Sequence, residues 1–169
     1  SDALDPRVRA VAEVALERFK SLGVSVKEIS LPHAEYALPV YYILMPSEVS
    51  SNLARFDGIK YGLRVNDEKD RMATTSRLLE TYLDSRAYGF GAEVKKRIML
   101  GTYTLSAGYY DAYYKKAQRV RQLIRQDFER AYETVDFIFS PTAPEVAFKF
   151  GAKADDPLAL ALKNHTLKR

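Results

Sequence analysis

The 169-residue chain is informative first through what it lacks. It has no cysteine, which excludes disulfides and thiolate metal sites and is compatible with a reducing cytoplasm. Only His33 and His165 supply imidazole, so a histidine-rich metal site is excluded. No apolar run approaches the ~18 residues of a membrane span, and no signal-peptide pattern is present. The 26 basic and 22 acidic residues are interleaved, which argues against a nucleic-acid surface, since that needs a clustered basic patch.

A convincing catalytic set is also missing. The serines and histidines from which a Ser–His–acid triad can be written are Ser106, Ser140, His33 and His165. No serine lies in a nucleophile elbow, so we interpret these serines as capping or core hydroxyls. The adjacent aspartates at 155–156 precede a proline, which is typical of a turn and not of two acids held at a fixed separation.

Hydrophobic patterning predicts an α/β fold that is rich in helix over this segment. Helices are predicted at 6–22, near 34–38 (a helix or a turn), near 40–45, at 47–56, from 74 or 75 to 86, at 92–99, at 103–133 and at 157–163. Pro39 and Pro46 separate the second, third and fourth of these, because proline forbids an uninterrupted helix. Strands are predicted at 24–31 and 135–139, and a loop follows the Asp57–Gly58 turn over 59–72.

The predicted strands belong to a mixed sheet flanked by helices, and the chain 1–169 is predicted to be a single partial domain. A helix followed at once by a strand is the αβ half of a βαβ unit, whose first strand is not in the chain. We therefore expect open apolar sheet edges and a chain that is marginally stable by itself.

Three helices are predicted to turn an apolar stripe inward. The stripes are Val8, Val11, Ala12, Ala15, Leu16, Phe19 and Leu22 in the first; Leu78, Leu79, Tyr82 and Leu83 in the second; and Ala117, Val120, Leu123 or Ile124, Phe128 and Ala131 in the third.

Two stretches, 48–62 and 89–114, are dense in small residues, tyrosines and paired charges. Spacings of three and four residues place Tyr109 beside Tyr113 and Tyr110 beside Tyr114. Such a cluster is either a platform on which unpaired bases stack or part of a packed helix whose hydroxyls reach polar partners, and we favour the second.

The basic run Lys95, Lys96 and Arg97 ends one of the predicted helices. It is either a solvated face, which also suits the helix dipole, or it turns one guanidinium inward to hold a carboxylate by a two-pronged bond. Arg97 is the better candidate for the second role, because it precedes the apolar residues 98–100 and because arginine forms such forks where lysine cannot.

Five segments of the chain carry a family resemblance: Ser30–Pro39 (SLPHAEYALP), Ser50–Gly58 (SSNLARFDG), Gly89–Arg97 (GFGAEVKKR), Leu105–Tyr114 (LSAGYYDAYY) and Ser140–Pro144 (SPTAP). In order and spacing they resemble the A subunits of the glutamyl-tRNA(Gln) and aspartyl-tRNA(Asn) amidotransferases, a branch of the amidase signature family. The resemblance implies an α/β fold and a Ser–cis-Ser–Lys catalytic set that lies before this segment, so the chain alone is predicted to be inactive.

The resemblance also implies a role for particular residues. Arg97 matches the arginine that holds the α-carboxylate of glutamine, and Tyr41 matches a tyrosine of the same pocket. An acidic residue that contacts the glutamine amino group is implied near Asn164, where the sequence no longer follows the family, and Tyr88 stands where the family usually has an acid.

In the resembling family, glutamine is hydrolysed through an acyl-enzyme, and ammonia passes to a partner subunit that amidates misacylated tRNA. The implied partners are the B and C subunits, glutamine, and tRNA through the partner subunit, with no membrane. No cofactor is implied in this chain, since ATP and Mg²⁺ are used by the partner subunit. The alternatives are a fragment of a standalone amidase and a non-enzymatic helical binding module.

Overall fold

The computed structural model describes residues 4–65 and 75–149, and within them the fold is helical. The α-helices are α1 (Pro6–Ser21), α2 (Ala37–Asn52), α3 (Thr75–Gly89), α4 (Ala92–Leu105) and α5 (Lys116–Tyr132). Short 3₁₀ turns span Ala34–Tyr36 and Leu53–Arg55, and a π-helix spans Tyr110–Lys115. No helix in the described part of the chain is long and apolar enough to cross a membrane. The predicted helix at 157–163 lies outside the described residues.

The chain forms two compact units. Of the described residues, one unit combines 4–40 with 119–149, and the other lies within Tyr41–Gln118. Helix α1 belongs to the first unit, and it begins as its sequence predicts. The Asp5 carboxylate accepts the backbone N–H of Arg7 at 2.8 Å, and Pro6 occupies the first turn, where no N–H is required.

The two predicted strands do not pair with a neighbour. Residues 24–31 and 135–139 carry no regular secondary structure, and no β-ladder forms within 4–65 and 75–149, so the mixed sheet is not confirmed. A strand needs a neighbouring backbone to satisfy its N–H and C=O groups. Val24 is 51% exposed and Phe137 is 90% exposed, so apolar side chains of both segments lie open.

The first unit is held together by a buried carboxylate on α5. The Asp127 side chain is only 1% exposed, and it accepts the backbone N–H of His33 at 2.7 Å. Its other contacts are His33 Nδ1 at 3.0 Å and Arg130 Nη2 at 3.1 Å. Burial alone raises the pKa of Asp127, but the hydrogen bonds from His33 and the charge of Arg130 outweigh it and lower the pKa below its ordinary value.

Helix α2 runs through Pro46, where the sequence pattern predicted a break. The separate helices predicted near 40–45 and at 47–56 are therefore wrong. Proline removes one N–H from the helix ladder and costs about 3 kcal/mol in an exposed helix. Here Pro46 and its neighbours Leu44 and Ser47 are all buried, and the Ser47 hydroxyl donates to the Ile43 carbonyl at 2.7 Å. Burial of this apolar face favours continuing the helix.

Within the second unit, α4 crosses this part of α2 at backbone contact. A Cβ atom placed on Gly101 would lie 1.9 Å from the Pro46 carbonyl oxygen, so only glycine fits. Beside this point the buried hydroxyls of Ser47 and Thr104 lie 2.6 Å apart. Each hydroxyl carries one hydrogen, and together they bond to each other and to one helix carbonyl. The crossing is thus fixed by a missing side chain and a buried polar pair.

The single helix predicted over 103–133 is wrong, and the helix predicted at 92–99 is too short. Helix α4 ends at Leu105, and Ser106 is extended with φ −71° and ψ 158°. Gly108 then adopts a φ of +86°, which a right-handed helix cannot contain. The chain resumes as the π-helix and then as α5.

Several predicted inward positions are exposed in the structure. Leu78, Leu79 and Leu83 of α3 are each more than half exposed, and Ser85 of that helix is buried. Helix α1 buries no residue completely. On α5 the predicted ends of the stripe, Ala117 and Ala131, are buried as expected.

The segment after α2 is organised by Arg86 of α3. Its Nη1 donates to the carbonyls of Leu53 at 2.8 Å and Phe56 at 3.1 Å, and its guanidinium lies 5.0 Å from the rings of both Tyr82 and Phe90. These contacts close the carbonyl end of the short helical turn.

We predict that Gly101→Ala destabilises the chain by about 1–3 kcal/mol, because the added methyl group forces α4 away from the Pro46 carbonyl. Gly89→Ala is the matched control, since its Cβ would meet only Leu63 at 3.8 Å and alanine favours the helix. Urea unfolding followed by circular dichroism measures both. Equal midpoints for the two variants would contradict the close crossing.

We predict that the stabilisation from Asp127 is lost below about pH 4. A carboxyl group with a lowered folded pKa contributes stability above its unfolded pKa, and this contribution disappears as pH falls through the folded pKa. Asp127→Asn should cost about 2 kcal/mol at neutral pH and flatten the loss of stability on acidification. Asp136→Asn, at an exposed position, is the control, and an unchanged acid profile in Asp127→Asn would contradict the assignment.

Candidate functional site

The candidate site is built around Arg97, which lies in the middle of α4. Its side chain is 28% exposed and turns toward α2. Nε donates to Glu93 Oε1 at 2.8 Å, and Nη1 contacts Tyr41 Oη at 3.4 Å and Met45 Sδ at 3.1 Å. The structure therefore brings together both residues, Arg97 and Tyr41, that the sequence analysis named.

The helix crossing explains why Arg97 lies there. Residues four apart on a helix share a face, so Arg97 lies on the same side of α4 as Gly101. Tyr41 and Met45 are likewise four apart on α2. Because Gly101 meets the Pro46 backbone, the turn that carries Arg97 is brought against the turn that carries Tyr41 and Met45.

The guanidinium is charged and only partly committed to protein contacts. Its hydrogen bond with Tyr41, and then that with Glu93, raise the pKa of Arg97 above its ordinary value despite partial burial. Among the residues that the structure describes, Nη2 has no hydrogen-bond partner. A guanidinium in this state can accept a carboxylate at its open end, and arginine recognises carboxylates by such parallel N–H bonds.

The two lysines before Arg97 serve other purposes. Lys95 Nζ donates to the Ala87 carbonyl at 2.5 Å, near the C-terminal end of α3, where a cation satisfies an open helix carbonyl. Lys96 is exposed. Of the three basic residues, Arg97 is the one that turns inward. The reason expected from the sequence does not hold, because its apolar successors are not buried: Met99 is 72% exposed and Leu100 is 45% exposed.

The tyrosines form two small groups beside the π-helix. The rings of Tyr109 and Tyr113 lie 6.0 Å apart, and those of Tyr110 and Tyr114 stack at 5.3 Å, so the predicted pairings are confirmed. Tyr103 joins the first group at 4.3 Å from Tyr109, whose hydrogen bond raises the pKa of Tyr103 to about 12. Of the four predicted tyrosines, Tyr109 bonds to Tyr103 and Tyr114 accepts from Gln118 Nε2 at 3.0 Å, so these two hydroxyls reach polar partners as predicted. The rings of Tyr109, Tyr110 and Tyr113 nevertheless stay about 40% exposed.

A second candidate, the cleft beside Asp127, offers less chemistry. It is lined by residues 27–30 and by one side of α5. The buried Asp127 oxygens are already directed at His33 and Arg130. Sequence reasoning missed Asp127, because a lone acid among the charged residues of a helix is typical of a solvated side chain.

The structure does not assemble the alternatives written from the sequence. Ser106 caps α4 by donating to the Tyr103 carbonyl at 2.7 Å, and His33 is paired with Asp127. Within 4–65 and 75–149, no three histidine or acidic side chains converge on a metal-sized point. Residues 155–156, Asn164 and His165 lie outside the described residues.

A partly buried arginine aimed between two helices is suited to holding a carboxylate. The sequence profile of the Amidase family matches residues 1–167. The chain belongs to the amidase family.

Its curated relatives are named as one subunit of a larger enzyme. The chain is 58% identical to the A subunit of the glutamyl-tRNA(Gln) amidotransferase of Thermodesulfovibrio yellowstonii, over 96% of this chain and 32% of the relative. It is 56% identical to the counterpart from Gloeothece citriformis and 52% identical to that from Cellvibrio japonicus, with the same two coverages. The chain spans about a third of the length of these relatives.

Proposed function

We propose that this chain is a segment of the A subunit of a glutamyl-tRNA(Gln) amidotransferase, where it supplies part of the glutamine pocket. The observation that carries the proposal is the Arg97 guanidinium, held beside Tyr41 with its Nη2 end open among the described residues. Glutamine carries an α-carboxylate, and a partly buried arginine fork matches that group in charge and shape.

In the proposed reaction, this chain binds and orients glutamine but breaks no bond. The family resemblance assigns amide hydrolysis to a Ser–cis-Ser–Lys set that is absent from residues 1–169. The ammonia released would pass to a partner subunit, which uses ATP and Mg²⁺ to convert Glu-tRNA(Gln) into Gln-tRNA(Gln). The B and C subunits, contact with tRNA through the partner, and a cytoplasmic location are parts of the same proposal.

A fragment of a standalone amidase is the main alternative function. The Arg97 site favours the amidotransferase, because a general amidase has no need to hold an α-carboxylate. The names of the relatives point the same way. A non-enzymatic helical binding module is disfavoured by the match to the Amidase family along the chain.

We also propose that residues 24–31 and 135–139 join a mixed sheet in the complete subunit. Support comes from the exposure of Val24 and Phe137, since solvent-exposed β-branched and aromatic residues in such short segments are typical of an unpaired strand. The test is a chimera in which this chain replaces the matching third of the Thermodesulfovibrio yellowstonii subunit. Backbone amides of 24–31 should exchange slowly in the chimera and fast in the isolated chain; fast exchange in both would contradict the sheet.

We predict that Arg97→Lys in the same chimera, assembled with the relative's other subunits, lowers kcat/KM for glutamine by about 30- to 150-fold. This corresponds to about 2–3 kcal/mol, because a charge-assisted fork is replaced by a point charge. With γ-aminobutyramide, which lacks the α-carboxylate, the loss should shrink to a few-fold. Release of the carboxylic acid product and of ammonia measures both reactions.

The matched control for this prediction is Lys96→Ala, because Lys96 is adjacent and exposed, whereas Lys95 supports α3 through the Ala87 carbonyl. The isolated chain serves as the blank and should show no turnover, since it lacks an activated nucleophile. Equal losses on both amides would mean that Arg97 supports the fold and does not bind the substrate.

A further inference from the structure

The contact between Glu93 and Arg97 restricts the guanidinium before any substrate binds. Glu93 precedes Arg97 by one helical turn, and its Oε1 accepts from Nε at 2.8 Å. A glutamate placed four residues before a basic residue is the favourable order for such a pair on a helix. The Nε side of the guanidinium is therefore occupied by a group from the same helix.

Two further contacts fix the opposite side. Nη1 lies 3.4 Å from the Tyr41 hydroxyl and 3.1 Å from Met45 Sδ, so α2 holds it from across the crossing. A guanidinium can present a carboxylate-matching pair of N–H groups either at its Nε side or at its Nη1–Nη2 end. Because Nε is already bonded to Glu93, only the Nη1–Nη2 end is left to bind a carboxylate. Of the two Nη1 contacts, the one to Tyr41 is longer and weaker, so it is the one that a carboxylate would replace.

We propose that Glu93 is a positioning residue for glutamine binding, which orients Arg97 so that its Nη1–Nη2 end, and not its Nε side, receives the α-carboxylate. This inference rests on the proposed function, in which Arg97 holds glutamine. Glu93 does not touch the substrate in this arrangement. It acts by reducing the number of side-chain conformations that Arg97 must give up on binding, since arginine carries a large rotamer entropy.

If Glu93 only stabilises the helix, its variants should behave differently from those of a positioning residue. Glu93 lies in the first turn of α4, and the N-cap Gly91 offers no side-chain cap. An acidic residue there stabilises the helix through its charge. Stabilisation of the helix by charge is lost equally in Glu93→Gln and Glu93→Ala. Positioning of Arg97 needs only an acceptor oxygen at the same distance from the backbone, and the glutamine side chain of the first variant still has one.

The test uses the assembled chimera described above. Glu93→Ala should raise KM for glutamine about threefold, as expected for loss of one exposed ion pair, with kcat unchanged. Glu93→Gln should restore KM to within a factor of about 1.5. Neither variant should alter the kinetics with γ-aminobutyramide. Glu129→Ala, which removes the similar exposed pair with Arg125 at 2.6 Å on α5, is the control and should change nothing.

Three outcomes would overturn the inference. The first is that both Glu93 variants match the unmodified chimera. The second is that both lower the melting temperature and shift the kinetics of the two amides alike, which indicates the helix-charge role. The third is that both lower KM for glutamine, which shows that Glu93 repels the substrate carboxylate. If Arg97→Lys lowers kcat/KM equally for glutamine and γ-aminobutyramide, the proposed function fails as well. If Arg97→Lys lowers it mainly for glutamine while the Glu93 variants leave KM unchanged, only this inference fails.

Discussion

The second unit depends on one constraint, the backbone contact between α4 and α2 at Gly101 and Pro46. A side chain of any size at position 101 would meet the Pro46 carbonyl oxygen. Because the two helices approach this closely, Ser47 and Thr104 can share a buried hydrogen bond, and apolar contact makes up for the N–H that Pro46 lacks. The same contact sets the distance at which side chains one turn away meet.

The close approach of α4 to α2 determines which residues surround Arg97. One turn along α4 from Gly101, it meets Tyr41 and Met45, which lie on the turn of α2 that faces it. A cation held between two helices, with a carboxylate on one side only, is suited to binding and not to bond making. In the proposed function the chain therefore contributes recognition of glutamine, and bond making is assigned to residues outside 1–169.

The exposed apolar residues have a related explanation. Val24, Phe137 and the leucines of α3 have the sequence character of buried positions, yet they are open to solvent. Hydrophobic patterning reports which residues favour burial and not which surface buries them. The chain spans about a third of its relatives, and in the proposed function the other parts of such a subunit would cover these positions.

The sequence by itself determined the start of α1 through Asp5 and Pro6, the pairing of the tyrosines and the family. Each of these depends on local spacing or on a motif, both of which are written along the chain. Only the tertiary structure decided that α2 continues through Pro46, that the predicted long helix divides at Gly108, that Asp127 is buried, and that Glu93 and Met45 hold Arg97. Those outcomes depend on the folded arrangement and mostly on contacts between residues distant in sequence, where burial and close packing outweigh local preference.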